Sequence, residues 1–459
     1  MRHHDLLVLG AGSGNLLLDD RFADLDVAVV SAGPFGGTCL NAGCIPSKML
    51  AVTADVADTV RDAGRHDVDA RLREVRWPEV RDRVFGRLDA ASAEGEQDRR
   101  DAANTTVHRG LARFTGPRRL TVDTADGPLE LTADRIVIAA GGRPVVPPVV
   151  ASSGLPYETS DTVMRLPEPP ARLVVLGGGY IAAELAHVFR SAGSHVTVVE
   201  KEDRLLGKQQ DEAVSAAFTE AMRGHWDLRL GRELTAVTGR PGDLRLTLDD
   251  GAELRADTLL VAVGRRPNSD LLDLDRAGVA TGEDGRITVD AQLRTTADGV
   301  WALGDIATPV PLKHVANREA RIVAHNLLHP GEERSMDYGA VPSAVFTRPQ
   351  IAQVGLTERQ AREQGLDPAV AVHRYADVAY GWALEDTEGF CKVLADRRTG
   401  RLLGAHILGP QAATLIQPLV VALTTGMTAG ELADGPLWIH PALTEVVENA
   451  LRDLPATGH

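Results

Sequence analysis

Asp5-Leu-Leu-Val-Leu-Gly10-Ala-Gly12-Ser-Gly14-Asn15 runs from an apolar stretch straight into a glycine turn, and Asp26-Val-Ala-Val-Val-Ser31 follows. The same order of parts returns in Arg172-Leu-Val-Val-Leu-Gly177-Gly-Gly179-Tyr180-Ile-Ala182-Ala-Glu184, with His195-Val-Thr-Val-Val-Glu200 behind it. Each copy reads as strand, tight turn, amphipathic helix and second strand, which is a βαβ unit. Glycine is needed because the first must turn sharply and the second must let the backbone approach a pyrophosphate at the helix N-terminus. An acidic residue about 20 positions later holds the ribose hydroxyls. Glu200 takes that place in the second copy and Ser31 in the first. One glycine turn alone is weak evidence. Two in the right context point to two dinucleotide sites, against the alternative of one site and a decayed copy.

Further out, the copies share an exit. Ile136-Val-Ile-Ala-Ala-Gly141-Gly-Arg143-Pro144 resembles Leu259-Leu-Val-Ala-Val-Gly264-Arg-Arg-Pro267-Asn268, each a buried strand ending in a Gly-Arg-Pro turn. Two unrelated domain exits are the plainer reading, but the repetition favours internal duplication.

Beyond the first unit lies Gly36-Gly37-Thr38-Cys39-Leu-Asn-Ala-Gly43-Cys44-Ile-Pro46-Ser-Lys48, where four residues separate the cysteines. Residues five apart on a regular helix do not face each other. A distorted first turn could still bring the sulfurs to bonding distance, and a helix N-terminus lowers a thiol pKa. Zinc ligation is the competing reading, but it needs two more ligands and no second cysteine pair exists. A redox pair is favoured. Cys391, in Gly389-Phe-Cys391-Lys-Val-Leu, sits in a strand-like run and reads as a small core residue.

The chain of 459 residues is 44% hydrophobic, enough for several buried cores. Its net charge of -15 repels nucleic acid and anionic lipid, so neither is expected as a partner. No apolar run approaches the ~18–20 residues that span a bilayer, and the glycine turn begins too early for a signal peptide. A cytoplasmic protein is expected. Three cysteines make no structural disulfide framework, and in a reducing compartment a close pair is catalytic or metal-binding. Basic charge is carried almost wholly by arginine, the lysines being Lys48, Lys201, Lys208, Lys313 and Lys392.

Together these residues resemble the flavoprotein disulfide reductase family, whose members include glutathione reductase, lipoamide dehydrogenase and mycothione reductase. The likeness runs through both glycine turns, Gly-Gly-Thr-Cys39…Cys44-Ile-Pro-Ser-Lys48, Thr295-Thr-Ala-Asp-Gly-Val-Trp-Ala-Leu-Gly304-Asp305 and His440-Pro441…Glu445, which is nearly the whole chain. Within the family the mycothione reductases are most similar, on Leu312-Lys-His-Val-Ala316-Asn317, Tyr380-Gly-Trp382-Ala-Leu-Glu-Asp386 and Trp438-Ile-His440-Pro-Ala-Leu-Thr-Glu445-Val-Val-Glu-Asn449.

The resemblance implies an α/β fold of two Rossmann-like dinucleotide-binding domains and a C-terminal α+β interface domain. The expected boundaries are 1–148 and 269–334 for the FAD domain, 149–268 for the nicotinamide domain and 335–459 for the dimerisation domain. FAD would take the first site, at Gly10, Gly12, Gly14, Ser31, Gly37, Thr38, Lys48, Gly141, Asp305 and Ala316. NADPH or NADH would take the second, at Gly177, Gly179, Tyr180, Ala182, Glu200, Lys201, Arg204 and Gly264. Tyr180 would cover the nicotinamide pocket, with ordinary helix packing as the alternative. Lys48 and Glu184 would pair beside the flavin, with an inconsequential surface salt bridge as the alternative.

In the mechanism so implied, hydride passes to the flavin and its electrons open the Cys39–Cys44 disulfide. Cys44 makes the charge-transfer contact, and Cys39 attacks a small-molecule disulfide, which the motifs identify as mycothione. His440, oriented by Glu445, serves as acid and base in the partner's active site, which makes a homodimer. Taken alone, His440 would be a helix-start histidine; its setting in the terminal motif reverses that. Dihydrolipoamide dehydrogenase is the rival enzyme, and a non-catalytic redox-sensing flavoprotein the rival of another class.

Two departures from the family pattern carry expectations. Asn15 stands at the third glycine position and Ser31 in place of a glutamate, so FAD is expected to bind more loosely. Glu200 suits the 2′-hydroxyl of NADH, whereas Lys201 and Arg204 could serve a 2′-phosphate. The stretch from Thr53 to Arg100 is charged and helical by pattern, with solvated faces.

Overall fold

The computed structural model describes residues 1–208 and 210–455. Its N-terminal sheet is built around Arg2–Leu9, which is buried from Leu6 onward and runs parallel to Val27–Ser31 on one side and to Gly127–Ile138 on the other. Thr105–Arg109 extends the parallel sheet at one edge, and Val300–Ala302 pairs with the far side of Gly127–Ile138. The antiparallel strands Leu111–Gly116 and Arg119–Thr124 complete it. The second sheet is parallel throughout, in the order 227–230, 195–200, 172–176, 258–261, 158–159. Continuous apolar runs such as Leu-Val-Val-Leu and Leu-Leu-Val suit strands covered on both faces.

The duplication extends to single hydrogen bonds. Gly10 N donates to Val30 O and Gly177 N to Val199 O, both at 2.8 Å. Ala139 N donates to Leu9 O and Ala262 N to Leu176 O, again at 2.8 Å. Both turn glycines are left-handed, with φ of 109° at Gly10 and 112° at Gly177. A side chain on either would strike a backbone carbonyl, Ala139 O or Ala262 O, so only glycine fits. The two exit turns do more than repeat each other. Gly142–Pro144 and Arg265–Pro267 pair as a two-stranded antiparallel ribbon, where the chain passes between the two sheets.

The expected helix of the first unit is corrected. Where the second unit has Tyr180–Ser191, twelve residues of α-helix, the first has only the 3-10 turns Ser13–Leu17 and Asp20–Phe22. Asp19 ends the first turn by capping the second through Arg21 N. Asn15 has a specific partner here. Its Oδ1 accepts from Arg99 Nε at 2.8 Å, and Arg99 also holds the Asn15 and Leu18 carbonyls. Arg99 lies on Trp77–Asp101, the second of two long helices in the region expected to be helical, after Cys44–Arg61.

The C-terminal part is a five-stranded antiparallel sheet, ordered 343–345, 351–355, 402–408, 390–396, 368–374, with helices that include Thr444–Arg452. Cys391 is fully buried in its core, and burial pushes its thiol up to about 12, in keeping with a core residue. Among the described residues no helix is long and apolar enough to cross a membrane.

Candidate functional site

A cavity of about 960 Å³ opens between the first glycine turn, the cysteine segment, the Tyr180 helix and the start of helix Lys313–Leu328. Its wall holds the expected first-site residues Gly10, Gly12, Ser31, Gly37, Thr38, Lys48, Gly141, Asp305 and Ala316. Gly14 lies just behind, where a Cβ would strike Ala139 and Val8. Gly12 and Gly37 pack backbone to backbone, and a Cβ on Gly37 would come within 2.8 Å of the Gly12 Cα. The result is a cradle of bare backbone, as a pyrophosphate requires.

The cysteines owe their meeting to a broken helix. Gly37–Asn41 stops at Ala42, and Cys44–Arg61 starts afresh after Gly43, whose missing Cβ avoids the Thr38 carbonyl 2.9 Å away. Cys44 is therefore the first residue of an 18-residue helix, and Lys48 sits one turn along on the same side. Leu50, Ala51, Ala54 and Ala57 bury the other face, largely against the Tyr180 helix. Both thiols are free and hydrogen-bonded to each other. The bond from Cys39 brings Cys44 down to about 7, against burial and with help from Lys48. The same bond, then burial, pushes Cys39 well above the ordinary thiol range. Cys44 is thus the ready thiolate, and Cys39 the thiol that needs a base.

Lys48 Nζ lies 2.7 Å from Glu184 Oε2, and the pair is no surface ornament: the Glu184 side chain is only 6% exposed. Phe346 N and Ser47 Oγ also donate to the carboxylate, and Lys48 lies over the Phe346 ring. Three separate chain segments meet on this one group. Glu184→Ala removes it and leaves a half-buried ammonium; the expected loss of stability is about 2 kcal/mol or more. A thermal or urea melt unchanged from the parent would contradict this.

Tyr180 opens its helix on the cavity wall, half-buried, and burial raises its hydroxyl pKa. The remaining second-site residues lie away from the cavity wall, about the second glycine turn. The Glu200 carboxylate accepts from the backbone N–H of Gly178 and of Glu202, Arg204 pairs with Glu212 at 3.0 Å, and Lys201 is exposed. Gly264 is left-handed at φ 133°, and Val145 N donates to its carbonyl. Ser31 Oγ donates to Gly33 O at 2.9 Å.

His440 and Glu445 stand elsewhere. Nδ1 and Oε1 are 2.7 Å apart, and this bond holds the Glu445 carboxyl below its usual range. The imidazole is 71% exposed, and Leu437 and Ile439, just before it in the chain, are themselves open to solvent. Among the described residues no histidine lines the cavity. Sequence reasoning missed four cations on its wall: Lys313, Arg265, Arg165 and Arg109. Lys313 was within reach, as one of five lysines in an arginine-rich chain.

The chain belongs to the pyridine nucleotide-disulphide oxidoreductase family, whose sequence pattern matches residues 4–320, followed by that family's dimerisation domain at 341–451. Such enzymes use FAD and NAD(P)H. Mycothione reductase of Mycobacterium tuberculosis is 51% identical over 463 residues, covering 99% of this chain and 100% of that one. Dihydrolipoyl dehydrogenase of Halobacterium salinarum is 34% identical over 464 residues, 99% of this chain and 96% of that one. Among solved structures, the HOCl-induced flavoprotein disulfide reductase of Escherichia coli superposes with a TM-score of 0.87 at 28% identity, over 98% of this chain and all of that one. The chain is an FAD-dependent disulfide oxidoreductase.

Proposed function

We propose that the chain reduces mycothione to mycothiol with NADPH or NADH, through FAD and the Cys39–Cys44 pair, in the cytoplasm as a homodimer. The observation that carries the reading is a hydrogen-bonded dithiol, with one thiol brought down to about 7, on the wall of a glycine-cradled cavity. The full-length identity to a mycothione reductase supports the choice of substrate.

FAD, when bound, relays the two electrons of a nicotinamide hydride to the disulfide. Gly10, Gly12 and Gly37 leave room for its pyrophosphate, and Asp305 faces the same cavity. Once reduced, Cys39 attacks one sulfur of the substrate. A Cys39–substrate bond forms as the substrate S–S bond breaks, and the first thiol leaves. The Cys44 thiolate then attacks Cys39 Sγ, which re-forms the internal disulfide and frees the second thiol. Cys39 is held protonated, so a base must take its proton and return it to the leaving sulfur. The partner subunit's His440 fills that role, because His440 is exposed and does not line the cavity of its own chain.

Glu200 sets the nucleotide preference. Its carboxylate receives a ribose 2′-hydroxyl and repels a 2′-phosphate. Glu200→Ala should shift kcat/KM toward NADPH over NADH by about tenfold. An unmoved ratio would assign the preference to other residues.

The test of the whole reading is oxidation of NADPH and NADH by the holoenzyme with mycothione, glutathione disulfide and lipoamide. Turnover confined to mycothione supports it. Preference for lipoamide with NADH would move the chain to the dihydrolipoyl dehydrogenases, and bleaching of flavin without turnover to the redox sensors.

A further inference from the structure

We infer that Lys313 is a phosphate-binding residue, supplying the first nucleotide site with the positive charge that its missing α-helix would otherwise provide. The inference rests on the reading of the cavity as the flavin-nucleotide seat.

The second glycine turn feeds a twelve-residue α-helix, whose aligned peptide dipoles favour an anion at its N-terminus. After the first turn there are only five residues of 3-10 helix, Ser13–Leu17. So short a segment has little dipole to offer, and the turn keeps its bare N–H groups without the field behind them.

Lys313 makes up for this from another element. It is the first residue of the sixteen-residue helix Lys313–Leu328, which packs against that 3-10 turn. Its Nζ crosses 300 positions of sequence to donate to Ser13 Oγ at 2.9 Å, the hydroxyl that directly follows Gly12. The ammonium therefore sits on the glycine turn itself.

Its pairing is also unlike that of its neighbours. The other four cations on the cavity wall each have a carboxylate in ion-pair range, from Arg165 at 2.6 Å from Asp89 to Arg109 at 3.8 Å from Glu96. Among the described residues no carboxylate lies within 4.0 Å of Lys313 Nζ, and the cysteine pair, then Asp305, act on it only from further off. A half-buried ammonium with only a hydroxyl partner is costly unless an anion comes to it. A pyrophosphate across Gly10–Gly14 is that anion. In a chain whose basic residues are nearly all arginine, this position carries a compact point charge.

Diluted holoenzyme provides the test, with FAD release followed by the rise of free-flavin fluorescence at low and at high salt. Lys313→Met should release FAD about tenfold faster or more at low salt and lose part of the salt dependence. Lys313→Arg should stay within about threefold of the parent, since the charge remains. Ser13→Ala, which keeps the cation and removes its tether, should fall between them, and it decides the matter should Lys313→Met not fold. Parental release and salt dependence in Lys313→Met would overturn the inference. So would unchanged release with a shifted flavin midpoint potential, which would place the cation at the flavin ring. A parent protein that retains no FAD would instead remove the reading of the cavity.

Discussion

Cys39→Ser should give a folded, flavin-containing protein that reduced nicotinamide bleaches once and that turns over disulfide at least about 1000-fold more slowly. The size follows from chemistry: without the Cys39 sulfur no mixed disulfide forms, and Cys44 has nothing to resolve. A second measurement separates this from general damage. The Cys39 thiol is the main reason that Cys44 titrates near 7, ahead of Lys48. Cys39→Ala removes a hydrogen bond that favours the thiolate, so the Cys44 midpoint must rise. At pH 7 less than half of Cys44 would then be ionised. Lys48→Met should move it the same way by less. A pH titration of thiolate absorbance in the reduced protein reads both. An unmoved midpoint in Cys39→Ala would show that the two sulfurs do not share a proton.

His440→Ala should leave flavin reduction by nicotinamide intact and slow disulfide turnover by about 100-fold or more. Equal slowing of both steps would reject the role. Glu445→Gln should cost less, since it keeps an acceptor beside Nδ1 and loses only the charge that stabilises imidazolium. The decisive experiment is to mix. If His440 serves the cysteines of the other chain, a dimer of one Cys39→Ser and one His440→Ala chain has one site with both defects and one with neither. Random reassociation of the two inactive proteins should then restore about a quarter of the parental activity, half the dimers being mixed with one good site each. Were His440 to serve its own chain, every site would carry one defect and no activity would return.

The local signals in this chain were strong. Gly10 and Gly177 are dictated by carbonyls that leave no room for a Cβ, and the apolar runs around them can only be buried strands. That is information carried by a few neighbouring residues, and it was legible as such. So were the cysteine pair and the burial of Cys391. Other features depend on residues that meet only in space. The first unit kept its glycine turn but lost its α-helix, because the Asp19 cap outweighed the period. Arg99 reaches Asn15 across 84 positions, and Lys48 reaches Glu184 across 136. The 6% exposure of Glu184, which separates a buried junction from a surface salt bridge, is a property of three packed segments.

The amino-acid sequence by itself determined the two glycine turns, the paired cysteines and the class of chemistry, because each rests on backbone sterics or on reactive atoms a few residues apart. The tertiary structure alone decided which thiol the shared hydrogen bond lowers and which it raises, which cation on the cavity wall has no carboxylate in ion-pair range, and that His440 is not on the cavity wall of its own chain. Those outcomes depend on desolvation and on distances between atoms far apart along the chain, and no local pattern encodes them.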